Sequence, residues 1–358
     1  MSRLLSASSS RRRSPSIASR RVRRPETEPF RPIPASVTAL GDLWLLADPV
    51  GNTPLERHMS WLKQFVDLGG PSPSRAVAFT AWVAELQGLI QTGTVNRDEW
   101  NCEWKAFTMR CLNETMGARA LLKPHGYAGD FEIIDAIYHS RVSEDPGQKN
   151  WDTYFHAQAA PTAVRNRKIY FQRTITNAVV SAACFDEEMP RILNIASGPG
   201  RDMHEWLCAN PGLPMLFDCV ELDPNAIAFA SNLCAQHADR VRFHRANALR
   251  FRPQDMYHLA WSSGLFDYLN DSLFVRVLKS LLNHVLPGGE VVIGNFGSYN
   301  PSRAYMELLG DWNLIHRSPE HLRELALAAG GDEKNIRIGR EPACVNLFLH
   351  VSKPSRSS

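Results

Sequence analysis

The chain has 358 residues, of which 44% are hydrophobic and 22% charged, and its formal net charge is +3 at pH 7. These values are typical of one large or two modest globular domains, and the sequence contains no apolar run long enough to predict a membrane span. Residues 1–35 hold nine Arg against two Glu, so the rest of the chain is mildly acidic. An acidic body argues against nucleic acid as the partner.

The basic segment 1–35 is rich in Arg, Ser and Pro and poor in apolar residues, which predicts a disordered tail. No apolar segment follows its arginines, so it does not resemble a secretory signal. A transit peptide and a weak contact with an anionic surface remain alternatives.

The chain contains seven cysteines, an odd number, and no two of them form a CxxC pair. This pattern disfavours a disulfide framework and a zinc site. We therefore expect reduced, mostly buried thiols in a soluble, cytoplasmic protein.

Residues 36–150 are predicted to form a helical N-terminal domain that supplies a lid and part of the substrate site. Apolar residues recur at helical spacing in 74–93 and 96–114, where Gly93 is expected to end one helix and Asn96 to cap the next. These stripes predict a core; they comprise Phe79, Trp82, Val83, Leu86, Leu89, Ile90, Trp100, Trp104, Phe107 and Cys111. The glycine-rich segment 123–130 then leads into a short helix, and a longer helix is expected over about 157–182.

Strands and helices alternate from residue 191 onward. Strands are predicted over 191–197, 214–223, 241–248, 257–263 and 288–296, followed by an antiparallel pair over 335–341 and 345–353. The expected fold class is therefore α/β: residues 151–358 form a Rossmann-like, seven-stranded, mostly parallel sheet with helices on both faces.

A small-residue loop follows the first of these strands. Ala196, Ser197, Gly198 and Gly200 precede a helix, and glycine allows a tight turn and the close approach of a ligand to the helix N-terminus. Glu221 ends the second strand, where an acid can bind the ribose hydroxyls of a nucleoside, with Asp223 as the alternative. Asn247 ends the third strand, where its amide can meet an adenine edge. These strand ends predict an adenosine pocket.

The loop is neither the GxGxxG of dinucleotide sites nor a Walker phosphate loop. Residues 165–352 resemble the class I methyltransferases that bind S-adenosylmethionine, although Asn194 replaces the usual acid and Ala196 the first glycine. The resemblance implies S-adenosylmethionine as the cofactor. Its predicted contacts are Ala196, Ser197, Gly198, Gly200, Glu221, Leu222, Asn247, Ala248 and Ser263.

Five further stretches are similar to a narrower bacterial group; they read KPHGYAGDFEIID, AVRNRKIY, FDYLND, LPGGEVVIGNF and SRAYMELLGDWNLIHRS. Across residues 115–350 the chain resembles methyltransferases for the extracellular factor, 3-hydroxypalmitic acid methyl ester. This resemblance implies methyl transfer to a small molecule, at the carboxyl oxygen of a hydroxy-fatty-acid-like acceptor that is free or carrier-bound. The alternatives are an N- or C-methyltransferase of secondary metabolism and a non-catalytic adenosine-ligand sensor. The oligomeric state stays open.

Two residues of segment 123–130 are the predicted catalytic groups. His125 is expected to orient the substrate or act as a base, and Tyr127 to contact the substrate or the cofactor; loop contacts and packing are the alternatives. Asp130 is expected to cap the next helix.

Three arginines are candidates for carboxylate recognition. Arg165 or Arg167 is expected to meet the cofactor carboxylate, with Arg165 preferred. Arg303 is the predicted clamp for a substrate carboxylate, and an ion pair with Glu307 or Asp311 is its alternative.

The segments after the fourth and fifth strands are expected to line the acceptor pocket. The predicted substrate-binding residues are Phe266, Tyr268, Asn295, Tyr299 and Tyr305. Because these strand ends lack a clustered pair of acids, no metal is predicted.

Overall fold

The computed structural model describes residues 48–183 and 189–355. The described residues belong to one compact unit. The predicted disordered tail and Cys184 lie outside the described residues. The domain boundary near residue 150 stays a prediction.

Seven helices precede the first strand in the described part of the chain. They are α1 (Pro54–Asp67), α2 (Ala76–Gln91), α3 (Arg97–Cys111), α4 (Met116–Leu122), α5 (Phe131–Tyr138), α6 (Pro146–Ala157) and α7 (Ala159–Ala183). The predicted caps of α2 and α3 are confirmed. Gly93, just beyond α2, has a φ of 73°, and the Asn96 side chain accepts hydrogen bonds from the backbone N–H groups of Asp98 and Glu99.

The sheet has the predicted seven strands. They are β1 (Arg191–Ile195), β2 (Leu216–Glu221), β3 (Val241–Arg245), β4 (Tyr257–Ser262), β5 (Val285–Phe296), β6 (Ile336–Arg340) and β7 (Asn346–Ser352). Their order is β3-β2-β1-β4-β5-β7-β6, and only β7 runs antiparallel to its neighbours. The helices between them are α8 (Arg201–Ala209), α9 (Pro224–Leu233), α10 (Asp271–Asn283), α11 (Arg303–Leu309) and α12 (Pro319–Ala328). The predicted Rossmann-like architecture is confirmed.

Strand β5 begins earlier than expected. The sequence predicts it after the Gly288–Gly289 turn, whereas the structure starts it at Val285 and ends α10 at Asn283. The pairing with β4 shifts between Tyr257 and Leu259, so the glycines form an irregularity within the strand.

The helical region packs on the segment that follows β5 through an aromatic core. Phe79, Trp82, Trp100 and Trp104 are buried. The indole N–H of Trp100 donates to the carbonyl of Leu308 at 3.0 Å, and that of Trp104 donates to the carbonyl of Leu309 at 2.8 Å. These bonds fix α3 against α11 and bring the helices to the sheet edge where the predicted site lies.

The prediction of mostly buried thiols is wrong. Of the six cysteines in the described residues, Cys219 and Cys234 are buried and the other four are exposed. Cys111 is the last residue of α3, where the apolar stripe runs out of the core, and Cys102 and Cys208 lie on outward faces of their helices. In the described ranges, no helix combines the length and apolar character needed to cross a membrane.

Candidate functional site

The loop after β1 turns sharply because three of its residues adopt left-handed backbone conformations. The φ angles are 54° at Ala196, 56° at Gly198 and 64° at Gly200. A Cβ on Gly198 would meet no atom within 4 Å, so this residue leaves open space. Gly200 serves packing instead, because its Cβ would lie 3.3 Å from the Cβ of Ala230. The loop therefore exposes bare backbone at Gly198.

Glu221, at the end of β2, binds this loop. Its Oε2 accepts a hydrogen bond of 3.0 Å from the N–H of Gly198, and its Oε1 accepts from the N–H groups of Leu222 (2.7 Å) and Asp223 (3.1 Å). An ionised carboxylate offers about four lone-pair sites, so one stays open to a ligand hydroxyl. Asp223, the alternative ribose acid, caps α9 instead: its side chain accepts a hydrogen bond from the N–H of Asn225.

A cavity of about 770 Å³ lies beyond the carboxyl ends of the parallel strands. Ligands of open parallel sheets bind at this edge. The sequence-predicted residues that line it are His125, Tyr127, Ala196, Ser197, Gly198, Glu221, Leu222, Asn247, Ala248, Ser263 and Tyr268. We call this cavity the cleft.

Two buried polar atoms in the cleft lining have no hydrogen-bond partner among the described residues: Oγ of Ser197 and Nε of Arg167. Buried polar groups are normally paired, so these atoms fit a polar ligand that completes them. Arg167 also donates from Nη1 to the carbonyl of Ser263 at 2.9 Å. Arg165, the preferred prediction, points elsewhere and donates to the carbonyl of His156. Arg167 therefore replaces Arg165 as the cofactor candidate.

Two buried carboxyl groups in the cleft lining lie close enough to Arg167 to feel its charge. Burial raises the pKa of Asp202 to about 6, although the N–H of Met203 and the charge of Arg167 oppose this shift. Burial likewise raises the pKa of Asp267 to about 7, against the N–H of Phe296 and Arg167. One guanidinium between two carboxyl groups can accommodate both the carboxylate and the ammonium group of an amino acid, which the methionine part of the cofactor carries.

The segment 123–130 covers the cleft. His125 Nδ1 lies 3.9 Å from Asp223 Oδ2, and its Nε2 lies 3.5 Å from Glu132 Oε1. Burial raises the pKa of the Tyr127 hydroxyl, and the charges of Glu221 and Asp223 raise it further. His125 and Tyr127 thus face the acids at the end of β2.

Neighbouring contacts hold this segment in place. Asp130 caps α5 as predicted, accepting from the N–H of Ile133, and Asp135 of α5 pairs with Arg201 of α8. A Cβ on Gly129 would lie 2.9 Å from Cζ2 of Trp312 and 3.0 Å from the hydroxyl oxygen of Tyr268. The segment is therefore packed on both the cofactor side and the opposite wall of the cleft.

Several predicted site residues lie outside the cleft lining. Arg303 pairs with Glu307 at 2.6 Å on an exposed face of α11, which is its alternative role. Phe266 is fully buried against Phe274, because the chain turns inward after β4. Seven predicted site residues do not line the cleft: Arg165, Gly200, Phe266, Asn295, Tyr299, Arg303 and Tyr305.

Asn295 and Tyr299 are placed differently for separate reasons. The Asn295 amide is buried, donates to the carbonyls of Phe296 and Ile315, and accepts from Arg317 Nη1 at 2.8 Å. Tyr299 is 50% exposed. Tyr305 lines a separate apolar cavity beside the cleft.

The lining residues without a functional prediction include Gly129, Asp202 and Trp312, and the carboxyl group of Asp267 was not predicted to act in the site. The one available signal was Asp202, a charged residue in the first turn after the glycine loop.

Comparisons with known proteins agree with this arrangement. Residues 192–289 match a family model described as "Methyltransferase domain". A possible exported protein from Bordetella parapertussis shares the fold, with a TM-score of 0.53 and 17% identity over 63% of this chain and 80% of its own. No curated protein sequence matches the chain.

Two methyltransferases of known structure are more distantly similar. One is 1,6-didemethyltoxoflavin-N1-methyltransferase from Burkholderia thailandensis (18% identity, 50% of this chain and 77% of its own, TM-score 0.37). The other is magnesium protoporphyrin IX methyltransferase from Synechocystis (10% identity, 54% and 86%, TM-score 0.40).

Residues 192–289, which include the loop after β1 and Glu221, match a methyltransferase domain. The chain is an enzyme with S-adenosylmethionine as its cofactor.

Proposed function

We propose that this enzyme methylates the carboxyl oxygen of a small acceptor that carries an apolar chain. The observation that carries the proposal is a small cavity of about 20 Å³ next to the cleft, with an almost wholly apolar lining. Val164, Phe296 and Trp312 line both spaces. An apolar wall of this kind favours a hydrocarbon chain over a polar acceptor.

A carboxylate acceptor also suits the groups at the junction. It is already ionised at neutral pH, so its methylation requires alignment and the exclusion of water rather than a base. The Tyr268 hydroxyl accepts a hydrogen bond of 2.8 Å from the Trp312 indole N–H. Burial, followed by the charge of Asp267, raises the pKa of Tyr268, so the hydroxyl keeps a proton that it can donate to an acceptor oxygen.

The residues of the cleft support binding of the cofactor, which supplies an electrophilic methyl group when bound. Glu221 would bind a ribose hydroxyl, Arg167 the amino-acid carboxylate, and Asn247 the adenine edge. His125 and Tyr127 would close the cleft from above. The resemblance to extracellular-factor methyltransferases supports a hydroxy-fatty-acid-like acceptor.

The test is incubation of the enzyme with deuteromethyl-labelled S-adenosylmethionine and a panel of acceptors, followed by mass spectrometry. The panel contains free 3-hydroxy fatty acids of several chain lengths, with alkyl amines of equal length. We expect label in an ester that mild alkali cleaves. Label that survives alkali on nitrogen or carbon would overturn the carboxyl assignment.

A variant of Trp312 tests whether the apolar cavity holds the acceptor chain. Because Trp312 lines both the cleft and this cavity, Trp312→Ala is expected to shift the preferred acceptor toward longer chains. Leu327→Ala, at an exposed position of α12, is the control and should leave the preference unchanged. An unchanged chain-length preference in Trp312→Ala would place the acceptor chain elsewhere.

Methylation of a nitrogen is a second candidate, and Asp267 is the observation that favours it. A carboxyl group with a pKa of about 7 in the cleft lining can take a proton from an amine at neutral pH. For a nitrogen acceptor, Asp267→Asn should lower kcat by about 10²-fold or more. For a carboxylate acceptor, kcat should change far less. Cofactor binding without any labelled product would favour the remaining alternative, a non-catalytic adenosine-ligand sensor.

A further inference from the structure

A cluster of nitrogen and sulfur atoms lies on α8, outside the cleft lining. His204 and Cys208 are four residues apart on this helix, so they share one face. His237 belongs to the short helical turn Ala235–His237 that follows α9. One ligand atom from each of these side chains lies within 4.8 Å of the other two.

The two sulfur-to-nitrogen distances match those between ligands of a single tetrahedral ion. Cys208 Sγ is 3.6 Å from Nε2 of His204 and 3.4 Å from Nε2 of His237. Zinc binds sulfur at about 2.3 Å and imidazole nitrogen at about 2.0–2.1 Å, so S and N ligands of a tetrahedral site lie about 3.5 Å apart. Little rearrangement is required to place one ion among the three atoms.

Two neighbouring side chains, Gln236 and Arg240, contact the Cys208 thiol and the His237 ring in this structure. The Gln236 amide Nε2 lies 3.0 Å from Cys208 Sγ and 3.2 Å from His237 Nε2. Arg240 Nη2 lies 3.0 Å from His237 Nδ1. A metal ion at Nε2 leaves a proton on Nδ1, so Arg240 must move away and the Gln236 amide must yield its place. Both residues therefore compete with the ion.

We propose that His204, Cys208 and His237 form a binding site for one Zn²⁺ ion, with solvent as the fourth ligand. A thiolate with two imidazoles is a donor set that zinc favours, whereas calcium and magnesium require oxygen ligands. The ion would join α8 to the turn after α9. Since α8 begins directly after the cofactor-binding loop, the ion is expected to stabilise this part of the fold rather than take part in methyl transfer.

The sequence prediction of no metal depended on the missing CxxC pair and on the missing acids beside the cleft. Neither criterion detects a mixed His and Cys cluster whose third member lies 29 residues further along the chain. The fold brings this member to α8.

The test uses the full chain, stripped of metal by a chelator. Zn²⁺ alone is titrated by calorimetry, and Co²⁺ by absorption, because a cobalt thiolate shows a sulfur-to-metal charge-transfer band. We expect one equivalent bound and a higher Tm. Cys208→Ser should abolish the band and weaken Zn²⁺ binding about tenfold or more, and His237→Ala should weaken it similarly.

Two variants serve as matched controls. Cys344→Ser, at another exposed cysteine, should leave both readouts unchanged. Gln236→Ala removes a competitor and should bind Zn²⁺ equally or more tightly. A charge-transfer band that persists in Cys208→Ser, or equal Zn²⁺ affinity for this variant and the parent chain, would overturn the proposal. If Cys208→Ser lowers the Tm of the metal-free chain, His204→Ala decides in its place, and unchanged Zn²⁺ affinity there counts against the site.

Discussion

Oε2 of Glu221 accepts a hydrogen bond of 3.0 Å from the backbone N–H of Gly198, so one carboxylate joins the ends of β1 and β2. The same side chain holds two N–H groups of the segment that opens α9. A residue proposed to bind the cofactor thus also maintains the shape of the loop that receives it.

Glu221→Gln should weaken the binding of S-adenosylhomocysteine about 10- to 100-fold, because hydrogen bonds to a charged group contribute about 1.5–3 kcal/mol. Isothermal titration calorimetry measures the change. Glu333→Gln, at an exposed position, is the control. Equal affinity of Glu221→Gln and the parent chain would remove Glu221 from the cofactor site.

Arg167→Lys should weaken S-adenosylhomocysteine binding about tenfold or more, because lysine cannot reproduce bidentate pairing with a carboxylate. Arg165→Lys, two residues earlier on α7, is the matched control. Methylthioadenosine, which lacks the amino-acid group, should bind Arg167→Lys and the parent chain alike. An equal loss for both ligands would instead indicate a general distortion of the cleft.

Ala196→Gly should stabilise the fold by about 1 kcal/mol or less, because Ala196 holds a left-handed φ of 54° that costs an L-residue about 1–2 kcal/mol, partly offset by the greater freedom of glycine in the unfolded chain. Urea unfolding provides the free energy of unfolding. Ala84→Gly, at an exposed position inside α2, should destabilise the chain by about 1 kcal/mol. Changes of the same sign in both variants would contradict this account of Ala196.

Gly129→Ala should lower turnover more than it lowers cofactor affinity, because the added methyl group meets Trp312 and Tyr268 on the acceptor side. Steady-state kinetics and calorimetry separate the two effects. Gly88→Ala is the control, since a Cβ there has no neighbour within 4 Å. Unchanged kcat and KM in Gly129→Ala would show that the segment 123–130 does not have to pack against this wall during turnover.

Asp267 should make the enzyme less stable as the pH rises. Burial raises its folded-state pKa to about 7 from a usual value of 3.8, so the folded state keeps the proton that the unfolded chain loses near pH 4. The contribution of Asp267 to stability is therefore complete below about pH 4 and is lost as the pH rises through 7. Asp267→Asn mimics the protonated form. The Tm of this variant minus the Tm of the parent chain should therefore increase from pH 4 to pH 8. A constant difference across this range would contradict the raised pKa.

The sheet could be predicted from sequence because its signals are local. Strands β1 to β5 alternate with helices, except that β4 follows β3 directly, and Asn96 and Gly93 mark helix ends. The loop after β1 was predicted for the same reason: its small residues are contiguous.

The far wall of the cleft could not be predicted in this way, because it depends on side-chain direction after β4 and β5. Phe266 and Tyr268 are two residues apart, yet one lies in the core and the other lines the cleft. Arg165 and Arg167 both belong to α7, and the rotation of this helix against the sheet decides which of the two side chains lines the cleft. Spacing along the chain does not contain this information.

The two indole hydrogen bonds between α3 and α11 hold α11, which lines the apolar cavity, to a distant part of the chain. Exchanging the helical half alone between related enzymes would separate Trp100 and Trp104 from the carbonyls that they hold. A chimera that also carries residues 303–312 would keep these contacts, and with them the shape of the apolar cavity. Transfer of acceptor preference in protein engineering would therefore require both segments together.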